Sequence, residues 1–171
     1  MNTRYAALFS VAVVLLVAPC TSLVHAADLD TWTAPANVAS IIAPCAKPVG
    51  DDPPSKATPC SQKFVDACSH ANGDSTLAIS QCAEAAATYW SDVVVQRTSA
   101  LVKLHQPTVT TYVRESGAAW KRYLTTRCAK YTQFEGSLYE IVAAECHLDT
   151  SIQRADDLGV YADHVTAKGV Q

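Results

Sequence analysis

Seven residues in the last third of the chain carry groups able to bond, bind or pack in a fixed arrangement. They are Trp120, Tyr123 and Cys128, then Cys146, Thr150, Arg154 and Leu158. The last four recur at every fourth position, a period that stacks side chains along one face of an α-helix. A thiol in such a row implies a covalent partner, and Cys128 is the nearest candidate upstream. A guanidinium there either satisfies a carboxylate or helix carbonyls, or binds an anionic ligand. One arginine without a neighbouring cluster makes a poor anion site, which favours the structural use. Trp120 and Tyr123, at helical spacing, read as core anchors before binding aromatics. The Asp156-Asp157 pair reads as solvated surface.

Other reactive side chains are scattered. Cys68 and His70 stand close enough to suggest a thiol with its base, but an exported cysteine in an even set is expected to be oxidised. His105 and His147 are single histidines on helices, and a metal site needs further convergent ligands. No GxSxG, HExxH, Gly-rich phosphate loop or CxxC pair occurs. The reading is a protein without catalytic residues, cofactor or metal.

Cysteine usage and charge bound the setting. Arg4, the apolar run over residues 5–18 and the small-x-small Val24-His25-Ala26 have the layout of an export signal over residues 1–26. The run falls short of the ~20 apolar residues that span a bilayer, so no membrane span is expected after cleavage. Pro19 ahead of Cys20 argues against lipoprotein processing, which wants a small non-proline residue there. The expected location is periplasmic or secreted. The remaining cysteines are Cys45, Cys60, Cys68, Cys82, Cys128 and Cys146. An even number in an exported chain reads as a disulfide framework. Several pairings are open, and the local one, in sequence order, closes the shortest loops and costs the least chain entropy to form. Without the signal, 12 basic residues face 16 acidic ones, a net charge of −4 with histidines neutral. Nucleic-acid phosphates reward the opposite balance; a basic protein or cationic ligand suits it.

The elements that must position these groups are helical. Residues 27–60 are Pro- and Ala-rich and read as an irregular arm, with a helical turn near Val38 to Ile42. Ser61 to Ala71 reads as one or two helical turns. Asp74 or Ser75 can cap a helix of about 30 residues. Ile79, Cys82, Ala86, Tyr89, Val93, Ala100 and Leu104 recur along it at steps of three and four. Pro107 opens a second helix, which carries Val109, Tyr112, Val113, Ser116, Ala119, Trp120, Tyr123 and Leu124 inward and ends near Lys130. Gly136-Ser137 opens a third, with Leu138, Ile141, Cys146, Leu148 and Ile152 toward the core, fading near Gly159. The fold class is all-α: a disulfide-stapled bundle of three main helices, spanning residues 61–160, with a Pro-rich N-terminal arm and a frayed tail over 161–171.

Trp120-x2-Tyr123-x4-Cys128, the Gly136-Ser137 helix start and Cys146-x3-Thr150-x3-Arg154-x3-Leu158 together resemble the LprI-type lysozyme inhibitor domain of bacterial envelope proteins. Cys68, Ser75-Thr76 and Cys82-Ala83 resemble its beginning, and the likeness runs from about Val65 to Tyr161. Members often carry Gln three residues before the tryptophan, where Gly117 stands, and a Leu-Asn pair where Val95-Gln96 stands. The resemblance implies a periplasmic or secreted helical protein that binds and blocks lysozyme. Complementary charge between an acidic inhibitor and a basic enzyme would raise the rate and specificity of encounter. Two turns beside expected staples are candidates for entering the enzyme's cleft: His70, Asn72 and Asp74 in one, Tyr131, Gln133 and Glu135 in the other. The alternative is a non-inhibitory periplasmic interaction module with another partner.

Overall fold

The computed structural model describes residues 38–46 and 57–167. The expected leader, most of the Pro-rich arm, the Cys45 side chain and the last four residues lie outside that range. Every described element is helical. Helix α1 spans Val38–Ile42 and runs into a 3-10 turn at Ala43–Ala46. Then come α2 (Ala57–Ala71), α3 (Thr76–Val102) and α4 (Pro107–Tyr123). A π-helical turn at Leu124–Cys128 leads to the single turn α5 (Ala129–Tyr131) and to α6 (Ser137–Ala167).

Local chemistry explains where the long helices start. The Ser75 hydroxyl accepts the Ala78 backbone N–H at 3.1 Å, capping α3. Pro107 opens α4, where its missing N–H leaves no intrahelical bond unmade. Gly136, at φ +113°, turns the chain into α6 in a conformation that costs a glycine little.

α3 and α6 are the most closely packed pair of helices. Small buried residues, Ala83, Ala86 and Ala87 on α3 and Ala143, Ala144 and Ala155 on α6, permit that approach. Ser91 meets Ser151, hydroxyl to hydroxyl at 3.3 Å, and further along Arg97 donates to the Ala155 carbonyl. Position rises along both helices together, so α3 and α6 run parallel. α4 returns antiparallel to both. α2 lies antiparallel on α3, joined to it by the Cys68–Cys82 disulfide and by the Trp90 indole, which donates to the Ser61 hydroxyl at 2.8 Å. Trp90 and Ser61 are both wholly buried, and Ile42, Phe64, Leu101, Ile152 and Leu158 are buried with them in the core.

Three boundaries differ from the sequence expectation. α2 begins at Ala57, inside the segment expected as arm, and runs 15 residues instead of one or two turns. Pro59 sits in its first turn, where no intrahelical N–H bond is lost, and Phe64, Val65 and Cys68 bury against α3. At the end of α3 it is Leu101 that packs inside, while Ala100 and Leu104 are exposed; Leu104 lies beyond the last helical residue, Val102.

The third difference is in α6, which does not fade at Gly159 but continues to Ala167, so residues 161–167 are helix and not frayed tail. Packing overrides the weak helix propensity of glycine there. A Cβ at position 159 would come within 2.8 Å of the Arg97 guanidinium, so the missing side chain makes room for that group. Beyond it, Tyr161 stacks on Tyr112 of α4 with ring centres 4.0 Å apart, and Val165 is buried.

Arg97 also lies 3.9 Å from Asp156. Burial raises the Asp156 carboxyl above its ordinary range; the Arg97 guanidinium opposes this and the neighbouring Asp157 adds to it. The folded protein therefore holds this proton more tightly than the unfolded chain does. Its contribution to stability is full below the ordinary carboxylate range and is lost as pH rises from that range through the raised value of the folded state. Asp156→Asn removes that loss, so thermal melts of the variant and the parent should diverge in the variant's favour between about pH 3 and pH 7.

The buried indole supplies a second test. Ser61→Ala leaves the Trp90 N–H without its partner, at a cost of about 1–3 kcal/mol in urea unfolding. In a Trp90→Phe background the same change should cost much less, because no donor is left to satisfy.

Candidate functional site

The constellation of the last third assembles as a ladder between α4 and α6. Cys128, wholly buried at the end of the π turn, is bonded to Cys146, with Cα atoms 5.4 Å apart. One turn on, the Thr150 hydroxyl lies 3.8 Å from the Cys128 sulfur, and the Trp120 indole donates to the Thr150 carbonyl at 3.3 Å. The next rung is Arg154, whose Nη2 donates to the Ser116 hydroxyl at 2.8 Å. Leu158, wholly buried, completes the row.

The π turn aligns the first of these rungs. At α-helical pitch Cys128 would stand about 80° round from Trp120, and the wider turn takes up that angle. The Thr125 and Thr126 hydroxyls bond back to the carbonyls of Lys121, Arg122 and Tyr123, supplying partners where the regular ladder loosens.

Tyr123 is not the core anchor its spacing implied. It is 42% exposed, with the Arg127 guanidinium 5.3 Å from its ring centre. The π turn swings the inward line of α4 round to Cys128 and leaves Tyr123 at its edge. Trp120 is half-buried, and Tyr112 and Ala119, also expected inward, are exposed.

Arg154 is 6% exposed, and among the described residues no carboxylate pairs with it; its Nε has no hydrogen-bond partner. Its aliphatic stem is what the ladder uses. Arg154→Met, which keeps the stem, should stay within about 1 kcal/mol of the parent in chemical denaturation, because removing a buried unpaired charge offsets the lost Ser116 bond. Arg154→Ala should cost about 2–4 kcal/mol through the cavity it leaves.

The two turns expected beside the staples lie at the same end of the bundle. Stepping back equally from the Ser91–Ser151 contact reaches Thr76 on α3 and Gly136 before α6, so both turns open at one level. The first turn, residues 72–75, is exposed and internally braced. Asn72 donates from its backbone to the Ser69 carbonyl at 3.0 Å and from its side chain to the Cys68 carbonyl at 2.8 Å. Asp74 N donates to the same Ser69 carbonyl at 2.9 Å, and the Asp74 carboxylate lies 3.0 Å from His70 Nδ1. Gly73 and Asp74 both have positive φ, +83° and +52°.

The second turn, residues 132–136, is held by backbone bonds from Gln133 to Lys130 and from Phe134 to Tyr131, each 3.2 Å. Gln133 and Glu135 are exposed, and Tyr131 is half-buried. Cys60 is also disulfide-bonded; the expected Cys45 side of that bridge lies outside the described side chains.

Sequence reasoning missed the apolar part of this end. Phe134 is 49% exposed and packs on Tyr139, ring centres 4.9 Å apart, beside Leu138, which is 64% exposed. Leu138 was expected in the core, but α6 starts level with α3, leaving no helix beyond to cover its first turn. The available signal was Phe134 itself, a large aromatic inside an otherwise polar turn. The carboxylates of Asp74 in the first turn and of Glu135 and Glu140 in and after the second are exposed. Among the described residues no group of His, Cys, Asp or Glu converges as a metal site, and no helix is long and apolar enough to cross a membrane.

A family model described as lysozyme inhibitor LprI matches residues 68–158, more than half of the chain. The match opens on Cys68 of the first staple and closes on Leu158 of the α6 row, so it encloses the two described disulfides Cys68–Cys82 and Cys128–Cys146, the π turn and both exposed turns. No curated protein and no solved structure matches the chain. With more than half of its length matched, over a span that encloses the described staples and the ladder between α4 and α6, the chain belongs to the LprI lysozyme inhibitor family.

Proposed function

We propose that the protein is exported, oxidised and binds lysozyme through the end of the bundle that carries both braced turns, obstructing the enzyme's cleft. The observation that carries this reading is the coincidence, at one level, of two exposed disulfide-flanked turns and the Phe134–Leu138–Tyr139 cluster. An aromatic cluster ringed by polar groups suits the centre of a protein interface. Turns already held by internal hydrogen bonds and disulfides lose little entropy on docking. The carboxylates around them suit a basic enzyme, and the chain's net charge of −3 acts in the same direction at long range. Glycosidase clefts carry a pair of catalytic carboxylates; the amides of Asn72 and Gln133 and the His70 ring supply hydrogen-bond donors toward such groups. Intact disulfides accord with an extracytoplasmic setting.

Purified oxidised protein should slow the clearing of a peptidoglycan suspension by lysozyme at micromolar excess. Leu138→Glu should weaken the effect, and reduction should abolish it. Undiminished lysis in the presence of oxidised protein overturns the inhibitor reading; lysozyme capture without slowed lysis turns it into the non-inhibitory interaction module.

A further inference from the structure

Beside the stapled end, an open groove of about 310 Å³ runs along the seam of α3 and α6, closed on its third side by the π turn. Glu84 and Asp92 stand on the α3 side, eight residues apart and so separated by about 12 Å along the helix. Ser91 and Ser151 put two hydroxyls between α3 and α6, His147 adds an imidazole and Leu124 an apolar wall. No lysine or arginine lines the groove, and among the described residues neither carboxylate has an ion-pair partner.

We propose that this groove receives a lysine or arginine side chain of a basic partner protein. The methylene stem lies against Leu124, and the cationic head meets a carboxylate and the serine hydroxyls. A carboxylate is the strongest neutralising group for such a head, and hydroxyls satisfy its remaining N–H donors. Anionic ligands are disfavoured by two unpaired carboxylates with no cation among the lining residues. The groove adjoins the end described above, so a partner seated there can reach it with one long side chain. The identity of the partner rests on the lysozyme reading; the cation preference of the groove does not.

The test has two arms on the oxidised full chain. In the first, a capped Gly-Arg-Gly peptide and its citrulline counterpart, matched in shape but uncharged, are titrated at millimolar concentration while amide NMR shifts are followed. The expected result is shifts confined to residues 84–92, 124 and 147–151 with the arginine peptide, absent with citrulline and lost in Glu84→Gln/Asp92→Asn. Equal shifts with both peptides, or none with either, overturn the proposal. In the second arm, the double variant should bind lysozyme about tenfold more weakly than the parent, with unchanged circular dichroism and melting. Equal affinity removes the groove from the lysozyme interface and leaves the inhibitor reading standing. If the parent itself fails to bind lysozyme, that reading falls and the peptide arm alone decides the groove.

Discussion

When α3 and α6 pack side by side along a strip of alanines and serines, their direction is no longer a free choice. Short turns at residues 103–106 and 132–136 oblige α4 to carry the chain back the length of the bundle, so the outer pair must run parallel. Everything else adjusts to that pairing. α2 folds back on α3 and brings the first staple to the start of α3; the π turn brings Cys128 to the start of α6. Gly159 exists as a helix residue because the seam needs room for Arg97 at its far end. The small residues of the seam contribute little apolar area each, and their effect is geometric: they let two long helices share one axis of approach. Large buried side chains then fill the flanks, Trp90 from α3 and Phe64 from α2, Leu158 and Ile152 from α6.

What the sequence discloses is what its own neighbourhood decides. The Ser75 cap, the Pro107 start, the Gly136 turn and the four-residue rhythm of Cys146, Thr150, Arg154 and Leu158 are each governed by contacts within a turn or two. They stand where the pattern puts them. The local disulfides Cys68–Cys82 and Cys128–Cys146 belong to the same class, being closures of short loops. The π turn does not. Leu124-Thr125-Thr126-Arg127-Cys128 has ordinary helical composition, and its widened form answers to a sulfur on another helix. Tyr123 and Leu138 fail for a related reason: helical period gives a face, but the extent of cover over that face depends on where the neighbouring helix begins and ends.

The family match and the packed unit do not coincide. The matched span starts at Cys68, yet Ser61, which satisfies Trp90, and the buried Phe64 and Val65 all lie N-terminal to it. The matched span encloses the ladder and the two described staples; the first half of α2, outside it, supplies the hydroxyl that satisfies the buried tryptophan. The candidate site divides in the same manner. Turn positions could be read from polar residues between helical patterns, whereas the aromatic cluster and the α3–α6 groove arise from the level at which separate helices stop and the angle at which they meet.

Each described disulfide lies inside a hairpin, one within α2–α3 and the other between the π turn and α6. Neither crosses the α3–α6 seam. Mechanically the described protein is two covalently closed clasps laid against each other, joined by the α3–α4 turn and by noncovalent contact. An opening of the seam breaks neither of these two bonds and leaves both clasps intact, so a direction of easy deformation is built into the topology. The groove lies on that line of parting, which makes its width the dimension of the molecule most readily altered by anything that enters it.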